Sequence, residues 1–318
     1  MLKRLLLSRP LPKTVEERAR SEFDTEVRGS NDPLSVNEMK AALTDFDMIM
    51  PSLGDAFNAG IFSAVAEPRC RLLANFGAGY NHIDVQAARD HGIAVTNTPG
   101  AVTDATADVA LLLMLMTARR AGEGERLVRA GLWAGWNPTQ LLGLHITGRC
   151  IGVVGLGRVG LAIARRAHFG FDMEIRYTSR TQKTLNFPAT HHENLVELAA
   201  ASDVLVIAVP GSAETHHLIG YEVLQAMPSH AILVNVARGD VVNEQELINA
   251  LKANRIAGAG LDVYEHEPRV SPELIAMENV TLLPHLGTAA LEVRTNMGMM
   301  VIENCIAFAD DKPLINPV

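Results

Sequence analysis

Cysteine is scarce: Cys70, Cys150 and Cys305 are the only three in 318 residues. An odd number without paired, metal-type spacing excludes a disulfide scaffold and fits reduced thiols used as core filler in a cytoplasmic protein. Long apolar runs are lacking as well. The Met1 to Pro10 segment holds only a three-leucine run between Arg4 and Ser8, too short for a signal-peptide core. The richest stretch, Val109 to Met116, reads as a short buried helix followed by Arg119 and Arg120, and no stretch approaches a membrane span. No long basic run exists and the net charge is -8, which argues against nucleic acid as a partner. An anionic substrate must therefore be drawn by local charge. The histidines lack a convergent metal pattern. His145, His168, His191, His192, His216 and His217 read as surface or locally hydrogen-bonded residues, since adjacent pairs on a strand point to opposite faces. No metal is expected, and no repeat or low-complexity tract is seen.

What is present is enough apolar side chain, 48% of the residues, to bury a large core and divide into two domains. Short β-type runs at Leu2 to Leu7, Asp47 to Met50, Leu72 to Asn75 and Ile93 to Thr96 alternate with helix-like segments, as in a parallel βα sheet. A second series begins at Ile151 and continues through Met173 to Tyr177, Val204 to Val209, Ile232 to Val236, Ala259 to Val263 and Val280 to Leu283. Each run is nearly all apolar, as a strand covered on both faces should be. The Asn97-Thr98-Pro99-Gly100 turn separates the two series, and the helix that follows, to about Arg120, is expected to cross between domains. Gly122 to Gly148 shows no clear periodicity and reads as a long loop or an arm that packs on another subunit. Leu291 to Ala309 reads as a last helix returning to the first domain. The expected fold class is α/β with two Rossmann-like parallel-sheet domains. A dinucleotide-binding domain, 99–289 with its arm at about 122–148, is inserted into a discontinuous substrate domain of 1–98 and 290–318.

The most informative stretch is Ile151-Gly152-Val153-Val154-Gly155-Leu156-Gly157-Arg158-Val159-Gly160, a buried strand turning through three glycines into a helix. Gly155 permits the tight turn, Gly157 lets the backbone approach a pyrophosphate, and Gly160 allows the helix to pack closely on the strand. The pairs Gly77/Gly79, Gly122/Gly124 and Gly258/Gly260 lack the third glycine. Val159, Ile163 and Ala167 follow at helical spacing.

About twenty positions on, an acid would bind the ribose hydroxyls of NAD. Here the chain reads Tyr177-Thr178-Ser179-Arg180-Thr181-Gln182-Lys183, with no acid. Ser179 and Thr181 can hydrogen-bond a 2′-phosphate and Arg180 can neutralise it, with Lys183 in support, so NADP(H) is expected to be preferred and NAD(H) tolerated. Further along, Arg238, Glu267 and His285 each stand just past an expected strand, where open α/β sheets bind ligands. A cation, an acid and an imidazole converging there can hold a carboxylate, poise a histidine and transfer a proton. Asp104 and Asp108, near a helix start, read as capping or dipole-compensating residues.

Together these residues resemble the D-2-hydroxyacid dehydrogenase family, specifically its glyoxylate/hydroxypyruvate reductase branch. The resemblance runs through Asn75-Phe76-Gly77-Ala78-Gly79-Tyr80-Asn81-His82-Ile83-Asp84, Thr96-Asn97-Thr98-Pro99-Gly100, the glycine turn, Asn235-Val236-Ala237-Arg238-Gly239, Gly260-Leu261-Asp262-Val263 and Pro284-His285-Leu286-Gly287. It implies that Arg238 binds the 2-oxo acid and polarises its carbonyl, that His285 is the acid/base, and that Glu267 is the histidine's partner. Asp262 would hold the nicotinamide amide. Thr106, Gly155, Leu156, Gly157, Arg158, Val159, Gly160, Val209, Pro210, Val236, Ala237 and Gly287 fall at cofactor-contact positions, beside the Ser179, Arg180 and Thr181 loop. Leu53 and the backbone of Gly77, Ala78 and Gly79 would meet the substrate. The same resemblance implies a homodimer in which an aromatic of one arm covers the neighbouring substrate. Trp136 matches that position, with Trp133 nearby. The activity implied is NADPH-dependent reduction of glyoxylate and hydroxypyruvate. Two alternatives stay open: a dinucleotide-sensing, corepressor-like binding module, and a dehydrogenase for a bulkier 2-hydroxy acid.

Overall fold

The computed structural model describes residues 2–318. The chain divides into two compact units, Met1–Val102 with Thr288–Val318, and Thr103–Gly287. The first unit opens with β1 (Arg4–Leu7), α1 (Lys13–Glu22), β2 (Asp24–Val27), α2 (Val36–Asp45) and β3 (Met48–Met50), then α3 (Ala59–Ser63), β4 (Leu72–Ala74), α4 (Val85–Asp90) and β5 (Ala94–Thr96). Its five strands are all parallel in the order β2-β1-β3-β4-β5, so the order reverses beside β1. Alternation along the strands divides the core. Leu6, Ile49 and Leu73 pack on one face, and Leu5, Leu7, Met48, Met50 and Leu72 on the other. Local signals set the helix starts: Ser35 and Glu38 form a reciprocal capping box at α2, satisfying two backbone N–H groups that the first turn leaves open.

The second unit begins with α5 (Thr103–Ala118) and α6 (Ala121–Arg129). It continues as β6 (Cys150–Val154), α7 (Arg158–Phe171), β7 (Glu174–Thr178), β8 (Ala189–His191), α8 (Leu195–Ala200), β9 (Val204–Ile207), α9 (Tyr221–Ala226), β10 (Ile232–Asn235), α10 (Glu244–Lys252), β11 (Gly258–Leu261), α11 (Pro272–Ala276) and β12 (Val280–Leu282). The sheet is parallel throughout, in the order β12-β11-β10-β9-β6-β7-β8. Its order reverses between β6 and β9, the topological position where doubly wound sheets bind ligands at their carboxyl ends. Val204, Val206 and Val234 face one helical layer while Leu205, Ile207 and Leu233 face the other. Full burial of such side chains contributes roughly 1.5–3 kcal/mol each. The chain then returns to the first unit as α12 (Leu291–Ala309), whose Val301, Ile302 and Cys305 share a core with Val15 and Ala19 of α1.

Three elements depart from the expectation. β2 and β8 are short edge strands with polar or exposed residues, so neither carries an apolar run. The stretch from Gly122, expected to be loop or arm, opens as the helix α6, which buries no residue. Its two glycines hide the periodicity, and ion pairs hold it: Arg120 with Glu123, Arg129 with Glu125 and Arg126 with Glu278. Asp104 stands in the first turn of α5, as expected of a dipole-compensating residue, and it and Asp108 lie 2.9 and 2.8 Å from the Arg166 guanidinium and tie α5 to α7. Among the described residues no helix is long and apolar enough to cross a membrane. Cys70 and Cys305 are buried, and burial pushes the Cys70 thiol up to about 12, as suits core filler rather than a nucleophile.

Candidate active site

The glycine turn follows β6. Gly155 has φ +94°, and a Cβ there would lie 2.7 Å from Val209 Cγ1 and 3.0 Å from the Ala208 backbone. A Cβ on Gly160 would lie 2.0 Å from Gly155 O, so the first turn of α7 can rest on the strand only with glycine at this position. Nothing stands within 4 Å of the corresponding point at Gly157. That residue is the N-cap of α7 and supplies no side-chain acceptor, so the first-turn N–H groups face an open approach. This is the cradle a dinucleotide pyrophosphate requires. Leu156 is buried in the core and offers only its backbone, Val159 is half-buried, and Arg158 is exposed.

The loop after β7 folds on itself. Ser179 Oγ donates to Thr181 O at 2.7 Å, Lys183 Nζ donates to Thr181 Oγ1 at 3.0 Å, and Lys183 N donates to Tyr177 Oη at 2.9 Å. Arg180 is exposed at its tip. Two hydroxyls and two cations thus stand where an acidic ribose clamp would otherwise be. The Val209-Pro210 turn is held by Thr215, whose Oγ1 donates to Pro210 O at 2.8 Å.

The carboxyl ends of β10, β11 and β12 bring the three ionisable residues of the sequence analysis together. Asn235, fully buried at the end of β10, accepts from Ala237 N at 3.0 Å and donates to Arg238 O at 2.9 Å, shaping the Val236-Ala237-Arg238 turn. Burial pushes the Arg238 guanidinium below its ordinary pKa, while the Glu267 and Asp240 charges oppose the shift. Glu267 Oε2 lies 2.9 Å from His285 Nδ1, and its Oε1 accepts from Tyr264 N at 3.1 Å. Burial alone would raise the Glu267 pKa. The hydrogen bond and charge of His285, the Tyr264 N–H and Arg238 outweigh it and hold the carboxyl below the usual range. A carboxylate only accepts, so Nδ1 carries the proton and Nε2 is the nitrogen left for a reacting oxygen. His285 has φ +54°, a left-handed conformation that is costly for a residue with a side chain and recurs at functional sites. Its N–H is anchored on Asp262 O at 2.9 Å.

Asp262 spends both oxygens on backbone: Oδ1 accepts from Leu286 N at 2.6 Å and Oδ2 from Gly287 N at 2.8 Å. Burial raises its pKa against those bonds. Thr106 Oγ1 donates to Gly287 O at 3.3 Å. Asp262 and Thr106 therefore fix the turn that carries His285. The sequence reading missed three supports. Tyr264 Oη donates to Leu283 O at 2.8 Å. His217, read as a surface or locally hydrogen-bonded residue, has Nε2 2.8 Å from Glu265 Oε1, and Glu265 Oε2 accepts from Glu244 N.

In the first unit, Leu53 follows β3, with its carbonyl accepting from Arg9 Nη2 at 2.7 Å. Gly77, Ala78 and Gly79 follow β4, at the carboxyl edge of that sheet. Trp133 and Trp136 lie in the irregular segment after α6, 54% and 82% exposed.

A phosphate cradle on one side of a sheet's reversal point and an imidazole held by a carboxylate on the other define a dehydrogenase, an enzyme that moves a hydride and a proton together. Comparison with known proteins agrees. The NAD-binding domain model of the D-isomer specific 2-hydroxyacid dehydrogenases matches residues 111–287. A glyoxylate reductase of Thermococcus onnurineus is 41% identical, over 97% of this chain and 93% of its own. A crystal structure of a D-isomer specific 2-hydroxyacid dehydrogenase from a Polaromonas species superposes with a TM-score of 0.93 at 35% identity, covering 100% of both chains. The NADPH-dependent glyoxylate/hydroxypyruvate reductase of Sinorhizobium meliloti, solved with NADP and malonate, gives 0.88 at 37% identity over 100% of this chain and 97% of its own. The chain belongs to the D-isomer specific 2-hydroxyacid dehydrogenase family, on the branch of the glyoxylate reductases, and its cofactor is a nicotinamide dinucleotide.

Proposed function

We propose that the enzyme reduces small 2-oxo acids, glyoxylate and hydroxypyruvate first among them, with NADPH preferred over NADH, and that it works as a cytoplasmic homodimer. The Glu267–His285 pair beside Arg238 carries this reading. Arg238 binds the substrate and stabilises the negative charge that develops on its keto oxygen, an interaction worth most where water is excluded. Doubly protonated His285 gives its Nε2 proton to that oxygen while its Nδ1 proton stays hydrogen-bonded to Glu267, which holds the ring in the orientation that presents Nε2. A nicotinamide dinucleotide held on the Gly155–Gly160 turn would supply the hydride for the keto carbon. Leu53 and the Gly77-Ala78-Gly79 backbone are the substrate contacts we assign to the first unit. The hydroxyls and cations from Ser179 to Lys183 favour a 2′-phosphate, and kinship with glyoxylate reductases favours glyoxylate. An exposed tryptophan arm supports the dimer.

The test is a matrix of kcat/KM values for glyoxylate, hydroxypyruvate, pyruvate and phenylpyruvate with each cofactor. The proposal expects the glyoxylate or hydroxypyruvate value with NADPH to be highest. A higher value for phenylpyruvate, or for NADH with the same acid, refutes the corresponding part. Absence of multiple turnovers with every pair would instead favour the dinucleotide-sensing alternative.

A further inference from the structure

The Gly77-Ala78-Gly79 loop of the first unit is held in an unusual way: side-chain amides capture three consecutive carbonyls. Asn75 Nδ2 donates to Gly77 O at 2.9 Å and to Gly79 O at 3.0 Å, and Asn97 Nδ2 donates to Ala78 O at 2.7 Å. Thr98 N adds a second bond to Gly77 O at 3.1 Å. Asn75 is fully buried, and its Oδ1 lies 3.0 Å from His82 Nε2. The amide orientation follows from chemistry. Two carbonyl oxygens can only accept, so Nδ2 faces them, and Oδ1 can only accept, so the His82 nitrogen carries the proton. Both asparagines hang from backbone: Asn75 N donates to Thr96 O at 2.9 Å, and Asn97 N to Asn316 O at 3.2 Å.

In a trans peptide the N–H of the next residue points opposite to the carbonyl. Turning the carbonyls of Gly77, Ala78 and Gly79 toward the two amides therefore turns the N–H groups of Ala78, Gly79 and Tyr80 away from them. Among the described residues no acceptor meets those three N–H groups, whereas the Gly77 N–H is already bonded to Asn75 O at 3.0 Å. The result is a row of outward donors with no cationic side chain in it, the kind of backbone concavity that takes an anion.

We propose that Asn75 and Asn97 are positioning residues, with His82 holding the Asn75 amide, and that they present the N–H groups of Ala78, Gly79 and Tyr80 to the substrate carboxylate. This rests on the reading that the loop binds a 2-oxo acid. It moves the donor set one residue on, from Gly77 to Tyr80.

The test uses the full-length enzyme with Asn97→Ala, Asn75→Asp, His82→Gln and His82→Leu. A carboxylate at position 75 cannot donate to Gly77 O or Gly79 O, and Asn97→Ala releases Ala78 O. Each is expected to raise KM for glyoxylate by about tenfold or more, the scale of a lost hydrogen bond to a charged group, and to weaken oxamate, a non-reducible carboxylate analogue, in step. The kcat should stay within about twofold and the NADPH Kd should not move, because the loss falls on binding alone. His82→Gln retains a donor toward Asn75 Oδ1 and should keep the wild-type KM, while His82→Leu should not. Folded variants with unchanged KM and oxamate affinity, or a loss confined to kcat, overturn the proposal. If Asn75→Asp fails to fold, Asn97→Ala and the His82 pair decide alone. Failure of the wild type to reduce any 2-oxo acid would refute the functional reading instead, and the two failures are distinguishable.

Discussion

Gly239 stands directly after Arg238, and a side chain there would strike the segment that aligns the acid/base pair. A Cβ at this position would lie 1.8 Å from Tyr264 C, 1.9 Å from Tyr264 O and 2.3 Å from Glu265 N, all backbone atoms. Carbon atoms rest about 3.5–4.0 Å apart, so the Tyr264-Glu265 backbone must retreat by roughly 1.5–2 Å or Arg238 must move instead. Either way the site is misaligned, because Tyr264 N holds Glu267 Oε1 and Tyr264 Oη holds Leu283 O just before His285. Overpacking of this kind costs about 1–3 kcal/mol of stability, and a displacement near 1 Å at reacting groups costs about 10²-fold in rate. Gly239→Ala is therefore expected to lower kcat for glyoxylate about a hundredfold while the protein still folds. Gly258→Ala is the control. Its Cβ would lie 2.5 Å from Asn279 O at the amino end of β11, the far end of the strand from the site, so it should lose comparable stability with kcat nearly intact. Urea midpoints and kcat measured side by side decide the matter. Wild-type kcat in Gly239→Ala, or equal kcat losses in both variants, would falsify the reasoning.

Ser179→Asp should invert the cofactor order, since a carboxylate repels a 2′-phosphate and accepts ribose hydroxyls. A ratio of kcat/KM for NADPH over NADH that stays put speaks against the loop as selector. Glu267→Gln should cost at least about tenfold in kcat by loosening the orientation of His285. Because the folded-state pKa of Glu267 is depressed below 4.5, its contribution to stability is complete above that pH and is lost as pH falls through the lower folded value. The stability gap between wild type and Glu267→Gln should accordingly be widest near neutrality and close on acidification below 4.5; a gap independent of pH would contradict the pairing. Trp136→Ala should raise the phenylpyruvate-to-glyoxylate efficiency ratio by about tenfold, the scale of a lost pocket contact, and an unaltered ratio in an active variant would rule out the aromatic wall.

What could be read from the chain depended on whether a residue's partner is local. The glycine turn was legible because Gly155 and Gly160 meet each other five residues apart, and α12 was legible because an apolar stretch from Leu291 to Ala309 needs no partner to declare itself. Strands β9, β10 and β11 announced themselves as runs buried on both faces, and the residues just past them followed from the rule that open sheets work at their carboxyl ends. The edge strands β2 and β8 carry no such run, and one of the ion pairs that hold α6 joins Arg126 to Glu278, 152 residues away.

The carbonyl clamp marks the boundary most sharply. Asn75, Gly77, Gly79, His82 and Asn97 all stand in motifs that the sequence displays, yet spacing says nothing about which way an amide points. That direction is fixed only when β4 and β5 pair and bring Asn97 alongside Ala78, nineteen residues away. Side-chain identity is written in the sequence, but the outward face of a backbone loop is a property of tertiary hydrogen bonds, and the amides that turn it do not themselves need to touch a substrate. Residues of this kind should be sought wherever a loop presents N–H groups to an anion, by asking which side chains have taken the opposing carbonyls.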